Sequence, residues 1–338
     1  MKSKLKIGVI NWDAALVQDT YFGGYVINSL GNAKHSHRLP YYAKKDGNGN
    51  YFIPERLQED YDLELTMAAD SGIDFFMYCW YPDGTEPRNI GTEKHTNISS
   101  HLHELNRMRK LYQKSPLNKR IKMCAIVIAQ HAYSENDMHE LIFAMKQDYY
   151  EKKDGRPLIF VFGGYVPDFF ATLKGFAEDD GLNPYIIFIN NGKLSENGDY
   201  SKADAVSAYA SFQIADSFDK FSFKVHGDNE HRKTYGIPVI PLLSAGWNPT
   251  PRVERPVPWG DYPERNYTPA PTADEMEAAT LDFFKWIDDN SEEASTGYGV
   301  IFAWNEFEEG GYLCPTLGNN GEPCSDILDG LGRALKKR

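Results

Sequence analysis

The sequence predicts an α/β protein, a single (β/α)8 TIM barrel that spans residues 1–338 and carries long loops on its top face. Three observations lead to this prediction. Short apolar runs alternate with longer amphipathic runs from one end of the chain to the other. Eight such apolar runs occur, which is the strand number of a TIM barrel. No internal repeat, low-complexity tract or linker marks a second domain.

The eight apolar runs have the length and composition of strands that are buried on both faces. An open, doubly wound sheet is the alternative architecture, and the count of eight favours the barrel. The predicted strands are Leu5–Trp12, Ile73–Trp80, Ile121–Ala129, Pro157–Phe162, Tyr185–Asn190, Ala203–Ala208, Pro238–Leu243 and Gly299–Trp304.

Helices are predicted between these strands from amphipathic runs and start signals. Ser134 and Thr272 are N-cap residues followed by first-turn acids, and Pro54 and Pro167 suit a first helical position. The stretch 192–202 is too short and polar for a full helix, so we expect one outer helix to be missing. The predicted helices are Pro54–Asp70, Ser99–Lys114, Ser134–Lys152, Pro167–Glu178, Ile214–Tyr235, Ala273–Asn290 and one from Cys324 onward.

Composition excludes some classes of partner. The net charge of −12 and the pI near 5.3 disfavour nucleic acid, because no basic surface is available to release its counterions. Aromatic residues make up 14% of the chain, which suits a groove that stacks on the flat apolar faces of sugars. No GxGxxG, Walker or GxSxG pattern occurs, so we expect no cofactor and no acyl transfer.

The N-terminal stretch lacks an apolar run of signal-peptide length, and no run of eighteen apolar residues occurs. We therefore expect a cytoplasmic protein without a membrane partner, or a periplasmic or secreted one if an upstream segment has been removed. The cysteines Cys79, Cys124, Cys314 and Cys324 have no CxxC spacing, so we expect no metal site. Cys314 and Cys324 could form a disulfide in an oxidising compartment.

Two glutamates after the last predicted strand are the candidate catalytic residues. Glu306 and Glu309 lie three residues apart, and in a helical turn their side chains would share one face. Mutual repulsion would then raise one pKa and leave the other group ionised, giving an acid and a base. A solvated acidic turn is the alternative, but Trp304, Phe307 and Tyr312 make this segment unusually apolar for a solvated turn. Glycosidic cleavage requires such a pair of carboxylates.

In a TIM barrel the active site lies at the C-terminal ends of the strands. Residues just past these ends are therefore candidates for substrate binding, although each tryptophan could instead belong to the core and His131 could be structural. Arg252 is interpreted as a brace between its loop and Glu309 or Asp261. The substrate-binding candidates are Trp12, Asp13, Trp80, Tyr81, Asp83, His131, Tyr165, Asn190, Trp247, Asn248, Trp304, Asn305 and Tyr312.

The segment 303–315, AWNEFEEGGYLCP, resembles the AWNEWxEGxYLEP signature of the WbsX-like, glycoside hydrolase family 99-like proteins. Three other stretches are similar to motifs of these proteins: 76–84, 156–160 and 246–252. The chain departs from the pattern at Phe307, Cys314 and Trp247, and in 129–131 after strand three. These departures change the walls of sugar subsites and leave the paired glutamates in place.

The resemblance implies a (β/α)8 glycosidase that acts with retention on an α-linked, mannose-like sugar or a bacterial surface polysaccharide. It implies that Glu306 deprotonates the sugar 2-hydroxyl and that Glu309 is the acid/base. A non-catalytic glycan-binding barrel and an enzyme of polysaccharide biosynthesis are the alternatives. No diphosphate-binding motif supports the biosynthetic alternative.

Overall fold

A computed structural model of the protein describes residues 5–83, 98, 100–191, 199–320 and 323–338. Its strands are β1 (Lys6–Asn11), β2 (Lys44–Lys45), β3 (Tyr51–Phe52), β4 (Phe75–Trp80), β5 (Lys122–Ile128), β6 (Lys152–Lys153), β7 (Arg156–Phe162), β8 (Tyr185–Ile189), β9 (Ala205–Val206), β10 (Leu242–Ser244), β11 (Tyr298–Phe302), β12 (Asn305–Glu306) and β13 (Gly311–Tyr312).

Eight of these strands form one parallel sheet in the spatial order β10, β11, β1, β4, β5, β7, β8 and β9. Each of the eight predicted strands overlaps one of them, which confirms an α/β fold. The apolar runs form these strands because both faces of the sheet are covered, and all six residues of β4 are buried. The carboxyl ends of the parallel strands therefore lie along one edge of the sheet.

The two edge strands of the sheet are linked through the segment that precedes β10. The Val206 amide donates to the Pro238 carbonyl at 2.9 Å, and the Ile240 amide donates to the Val206 carbonyl at 2.8 Å. The predicted strand Pro238–Leu243 is thus divided, because its first half pairs with β9 and only its second half enters β10 beside β11.

The helices of the described residues lie mainly between these strands. Ser134 and Thr272 are N-caps with capping boxes, as predicted, and Pro167 is a first helical residue. The prediction for Pro54 is wrong, because the helix begins only at Gln58. The helices are α1 (Tyr21–Leu30), α2 (Gln58–Asp70), α3 (Arg107–Lys114), α4 (Glu135–Lys146), α5 (Pro167–Asp179), α6 (Phe218–Arg232), α7 (Thr250–Glu254), α8 (Ala273–Asp289) and α9 (Asp326–Leu335).

Two predicted helices are shorter than expected. Residues 102–106 form a 3-10 helix before α3, and Ser99 lies outside the described residues. The helix that begins after Ser134 stops at Lys146, because the following chain turns back into β6 and pairs with β7. Asp154 and Gly155 join β6 to β7 with φ of 51° and 82°, as a two-residue hairpin requires. Of the stretch 192–202, where we expected no full helix, residues 192–198 lie outside the described residues and Tyr200–Lys202 form one 3-10 turn.

The long loop after β1 contains an unpredicted helix, α1. Its glycine-rich start, Tyr-Phe-Gly-Gly, is unfavourable for a helix. A Cβ at Gly23 would lie 2.2 Å from the Val17 carbonyl oxygen, so only glycine permits this close approach. The helix begins after Thr20, whose side chain accepts a hydrogen bond from the Gly23 amide. As a result, α1 lies close to the turn that contains Glu306 and Glu309.

The structure bears on two expectations, the absence of a membrane-spanning segment and a possible disulfide between Cys314 and Cys324. No helix among the described residues combines the length and apolarity needed to cross a membrane. The four cysteines are free thiols, and Cys314 is buried. Cys324 pairs with Thr316 through backbone hydrogen bonds and not with Cys314 through sulfur.

Candidate active site

The two candidate catalytic glutamates lie in a tight hairpin directly after β11. The chain forms β12, makes one 3-10 turn over Phe307–Glu309 and returns as β13, so that Glu306 pairs with Gly311. Gly310 has a φ of 71°, and a Cβ at Gly311 would lie 2.2 Å from the Phe302 ring. The two glycines therefore allow the hairpin to close and hold both carboxylates at the C-terminal end of β11.

Glu306 and Glu309 line the same cavity, whose volume is about 290 Å³. Glu306 Oε1 accepts a hydrogen bond from the Tyr209 hydroxyl at 2.7 Å. Glu309 Oε1 accepts one from the Tyr262 hydroxyl at 2.6 Å and another from Arg252 Nη1. The two carboxylates thus share one cavity, and each accepts a hydrogen bond from a different tyrosine.

Arg252 is the buried cation of this site. Its Nη2 atom lies 3.3 Å from Glu308 Oε2 and 3.6 Å from Glu306 Oε2, in addition to the contact of Nη1 with Glu309. The guanidinium carbon lies 5.3 Å from the ring centroid of Trp12. The predicted contact with Glu309 is present, but Arg252 also lines the cavity and faces three carboxylates with one positive charge.

Burial shifts the pKa of both glutamates upward. The pKa of Glu306 is raised well above its usual range by burial and then by the nearby Glu309, and Arg252 opposes this only in part. Burial also raises the pKa of Glu309, against the opposing effects of Arg252 and Tyr262. We had expected one raised and one ordinary pKa, whereas both are raised. Burial is the largest cause in both cases, and it favours the protonated form of each carboxyl group.

The third glutamate of the turn, Glu308, connects it to α1. The Ser29 hydroxyl, on α1, donates to Glu308 Oε1 at 2.5 Å, and Arg252 lies against the other oxygen of the same carboxylate. All three groups are buried. The inserted helix α1 therefore helps to fix the position of Arg252 and, through it, of the two cavity glutamates.

Three of the predicted substrate-binding residues, Trp12, Tyr81 and His131, lie in the cavity lining. The other residues of the lining were not among the predicted substrate-binding residues. Two of them had a signal in the sequence, because Tyr209 directly follows a predicted strand and Trp259 lies in a proline-rich loop. The unselected residues of the lining are Phe22, Cys79, Ile98, Leu102, Leu105, Ile126, Ile128, Phe162, Asn191, Tyr209, Phe212, Arg252, Trp259 and Tyr262.

Asp13 and Trp80 do not line the cavity, contrary to prediction. Asp13 Oδ2 accepts hydrogen bonds from the amides of Met108 and Arg109, so this buried carboxylate caps the start of α3. Trp80 is 1% exposed, and the guanidinium carbon of Arg109 lies 3.6 Å from the centroid of its ring. Both residues support the protein interior beside α3.

Trp304 and Asn305 also lie outside the lining and fasten the hairpin to its neighbours. Trp304 is fully buried, and its Nε1 donates to Glu64 Oε2 on α2 at 2.9 Å. Asn305 Oδ1 accepts from the Trp12 amide at 2.8 Å, and its Nδ2 donates to Asn11 Oδ1 at 3.1 Å. Neither side chain is part of the lining of the cavity that contains the glutamates.

Three further predicted residues lie outside the lining of the cavity, and two of them belong to the loop after β10. Trp247 is buried and packs against Phe212, a lining residue, with 4.4 Å between ring centroids. Asn248 Nδ2 donates to the Thr268 carbonyl at 3.0 Å. Tyr312 is buried and lines a separate cavity. The three residues therefore lie outside the cavity that contains the glutamates.

The remaining predicted residues also lie elsewhere. Asp83 Oδ1 accepts from Asn106 Nδ2 at 2.6 Å. Tyr165 is 39% exposed and lines an outer groove. Asn190 Oδ1 accepts from the amide of Asn191 at 2.9 Å, and it is Asn191 that lines the cavity. The prediction at this strand end was thus displaced by one residue.

We expect the Glu64→Leu substitution to destabilise the protein by about 3–5 kcal/mol, because it leaves the buried Arg56 without its ion-pair partner and removes the acceptor of Trp304. Urea unfolding measures this effect. Glu59→Leu, at an exposed position on the same helix, is the control and should change stability by no more than about 0.5 kcal/mol. Equal stability of the two variants would contradict a fastening role for Glu64.

The fold is of a kind found in glycoside hydrolases. No protein-family profile matches the sequence, and no curated protein matches it. Among solved structures, a glycoside hydrolase-like protein superposes with a TM-score of 0.53 at 12% identity, over 99% of this chain and 95% of its own. A GH99 endo-α-mannosidase from Bacteroides thetaiotaomicron superposes with a TM-score of 0.52 at 16% identity, over 98% of this chain and 96% of its own. At these identities the similarity establishes the fold.

Proposed function

We propose that the protein is a glycoside hydrolase in which Glu306 and Glu309 are the catalytic carboxylates. The observation that carries this proposal is the placement of both groups in one turn after β11, facing one cavity with different hydrogen-bond partners. Cleavage of a glycosidic bond requires an acid at the leaving oxygen and a second carboxylate near the reacting carbon. The likeness of the fold to glycoside hydrolases supports the same conclusion.

We propose Glu309 as the acid/base and Glu306 as the group that acts on the sugar 2-hydroxyl. Burial raises the pKa of both groups, which favours the protonated form of each. A sugar hydroxyl that donates to Glu306 Oε2 would stabilise the ionised form of Glu306. The negative charge of Glu306 would then raise the pKa of Glu309 further, so that Glu309 takes up the proton that the leaving oxygen requires.

We propose an α-linked, mannose-like sugar as the substrate and retention as the outcome. The family 99-like motif around both glutamates supports this choice, and one protein of similar fold is an endo-α-mannosidase. We further propose that the parallel sheet closes into a single (β/α)8 barrel over residues 1–338. The hydrogen bonds between Val206 and the segment 238–240 support closure.

The function is tested by incubating the protein with a panel of mannose-containing oligosaccharides and bacterial surface polysaccharides, and by analysing the products by mass spectrometry. We expect fragments that have gained one water per cleaved bond. Proton NMR of the first product gives the anomeric configuration and tests retention. Binding of glycans, measured by calorimetry, without any product after long incubation would contradict hydrolysis and favour a glycan-binding protein.

A further inference from the structure

The cavity lining includes a set of apolar side chains that we name the apolar wall: Cys79, Leu102, Leu105, Ile126 and Ile128. Cys79 and Ile126 are register partners on the adjacent strands β4 and β5, and Ile128 follows Ile126 on the same face of its strand. Leu102 and Leu105 lie one turn apart on a 3-10 helix, so their side chains point in the same direction. The wall presents no amide or charged group, and its one polar atom, Cys79 Sγ, is paired with the Tyr209 hydroxyl at 3.6 Å.

Other parts of the lining carry buried polar atoms that need a partner. Asn191 Oδ1 and Trp259 Nε1 are buried and form no hydrogen bond with the described part of the chain, and Glu306 Oε2 has only its longer contact of 3.6 Å with Arg252 Nη2. Buried polar atoms of this kind are nearly always satisfied, so these three indicate where a ligand supplies its own donors and acceptors. The cavity therefore has polar positions and an apolar wall, and a ligand that fits it has both kinds of surface.

The apolar wall and the polar positions together restrict which substituents a bound sugar can carry. A hydroxyl group placed against the apolar wall would lose its hydrogen bonds to water and gain none from the protein, which is unfavourable. A methyl group in the same place would be removed from water and would contact the side chains of the wall, which is favourable. The volume of about 290 Å³ is near the lower end of the range for ligand pockets and suits a single sugar unit.

We propose that the sugar unit bound in this cavity carries a methyl-bearing substituent, either the C6 methyl of a 6-deoxy sugar or the methyl of an acetyl group, which contacts the apolar wall. This inference rests on the proposed function, because it assumes that the ligand is a sugar. It goes further in that it excludes a fully hydroxylated sugar as the preferred ligand.

Calorimetry of the intact protein with matched free monosaccharides tests the proposal. One arm compares mannose, glucose and galactose with their 6-deoxy counterparts. The other compares the same three sugars with their 6-O-acetyl counterparts, which keep the 2-hydroxyl on which Glu306 is proposed to act. We expect the methyl-bearing member of at least one pair to bind with a Kd about tenfold lower or more, and the arm in which this occurs identifies the source of the methyl group. Equal affinity within every pair, or no binding by any methyl-bearing sugar, overturns the proposal.

The Ile128→Thr variant tests whether the wall causes the preference. Ile128 is only half-buried, and threonine keeps its branched shape while adding a hydroxyl, so the ratio of the two Kd values should fall about threefold or more. Ile186→Thr is the matched control, because Ile186 is a half-buried isoleucine of the same sheet that lines the outer groove. An unchanged ratio in Ile128→Thr overturns the proposal. Since these measurements record binding alone, a failure of hydrolysis leaves them interpretable, and hydrolysis without a methyl preference removes only this inference.

Discussion

The Glu306→Gln and Glu309→Gln variants are each expected to lower kcat/KM on a cleaved glycan by about 10²–10⁴-fold, the range that general acid–base groups contribute. Glutamine keeps the size of each side chain but can neither accept nor release the proton. Glu277→Gln, on the surface of α8, is the control and should retain full activity. Full activity in both cavity variants would contradict the proposed catalytic pair.

The same substitution at Glu306 has a predictable effect on stability. The folded-state pKa of Glu306 lies well above its usual value of 4.5, so the folded state binds this proton more tightly than the unfolded state. This contribution to stability is complete below the unfolded pKa and is lost as the pH rises through the folded pKa. Glutamine cannot ionise, so the Glu306→Gln variant does not lose this stability as the pH rises. The difference in the free energy of unfolding, variant minus wild type, should therefore increase as the pH rises above about 4.5. Urea unfolding at several pH values measures it, and an opposite trend would contradict the raised pKa.

The Arg252→Leu substitution is expected to destabilise the protein by about 3–5 kcal/mol at neutral pH, because three buried carboxylates lose their shared cation. Burial lowers the pKa of Arg252, but Glu309 and Glu308 outweigh this and keep it charged. Without the arginine, the carboxylates near it retain their protons to higher pH. The destabilisation should therefore be larger at pH 8 than at pH 5.

Denaturant unfolding of Arg252→Leu and Arg255→Leu separates this effect from a general loss of arginine. Arg255 is exposed on the same loop, and its replacement should change stability by no more than about 0.5 kcal/mol. If Arg252→Leu does not fold, Arg252→Lys is the second variant. It keeps the charge but not the planar fork that contacts several carboxylates, and we expect an intermediate loss. Wild-type stability of Arg252→Lys and Arg252→Leu would contradict the role assigned to Arg252.

The sheet was predictable because each parallel strand is a continuous apolar run between polar segments. The missed elements have other causes. α1 depends on a close approach of the chain at Gly23, which a helix propensity does not describe. β6 has only two residues, and its signal was the Asp154-Gly155 turn and not its own composition. Local sequence patterns thus identified the long strands and helices. They failed at α1 and β6, where a tertiary contact or a turn determines the structure.

For the site, position at a strand end was informative but incomplete. Side chains alternate between the two faces of a strand, so when Cys79 faces the cavity its neighbour Trp80 must point away. The tryptophan was selected for its type, and the cysteine between the aromatic residues was not. Tyr209 and Tyr262 were missed because their value lies in hydrogen bonds to Glu306 and Glu309, which are distant in sequence. The paired glutamates were identified because both lie in one short segment.

The aromatic lining of the cavity also provides an optical signal of ligand binding. Trp12 and Trp259 line the cavity with their ring centroids 5.8 Å apart, close enough for their indole transitions to interact. A ligand that displaces water from these rings should change the tryptophan emission and the near-ultraviolet circular dichroism of the unlabelled protein. The four tryptophans outside the lining, whose emission a ligand should leave nearly constant, are Trp80, Trp247, Trp286 and Trp304.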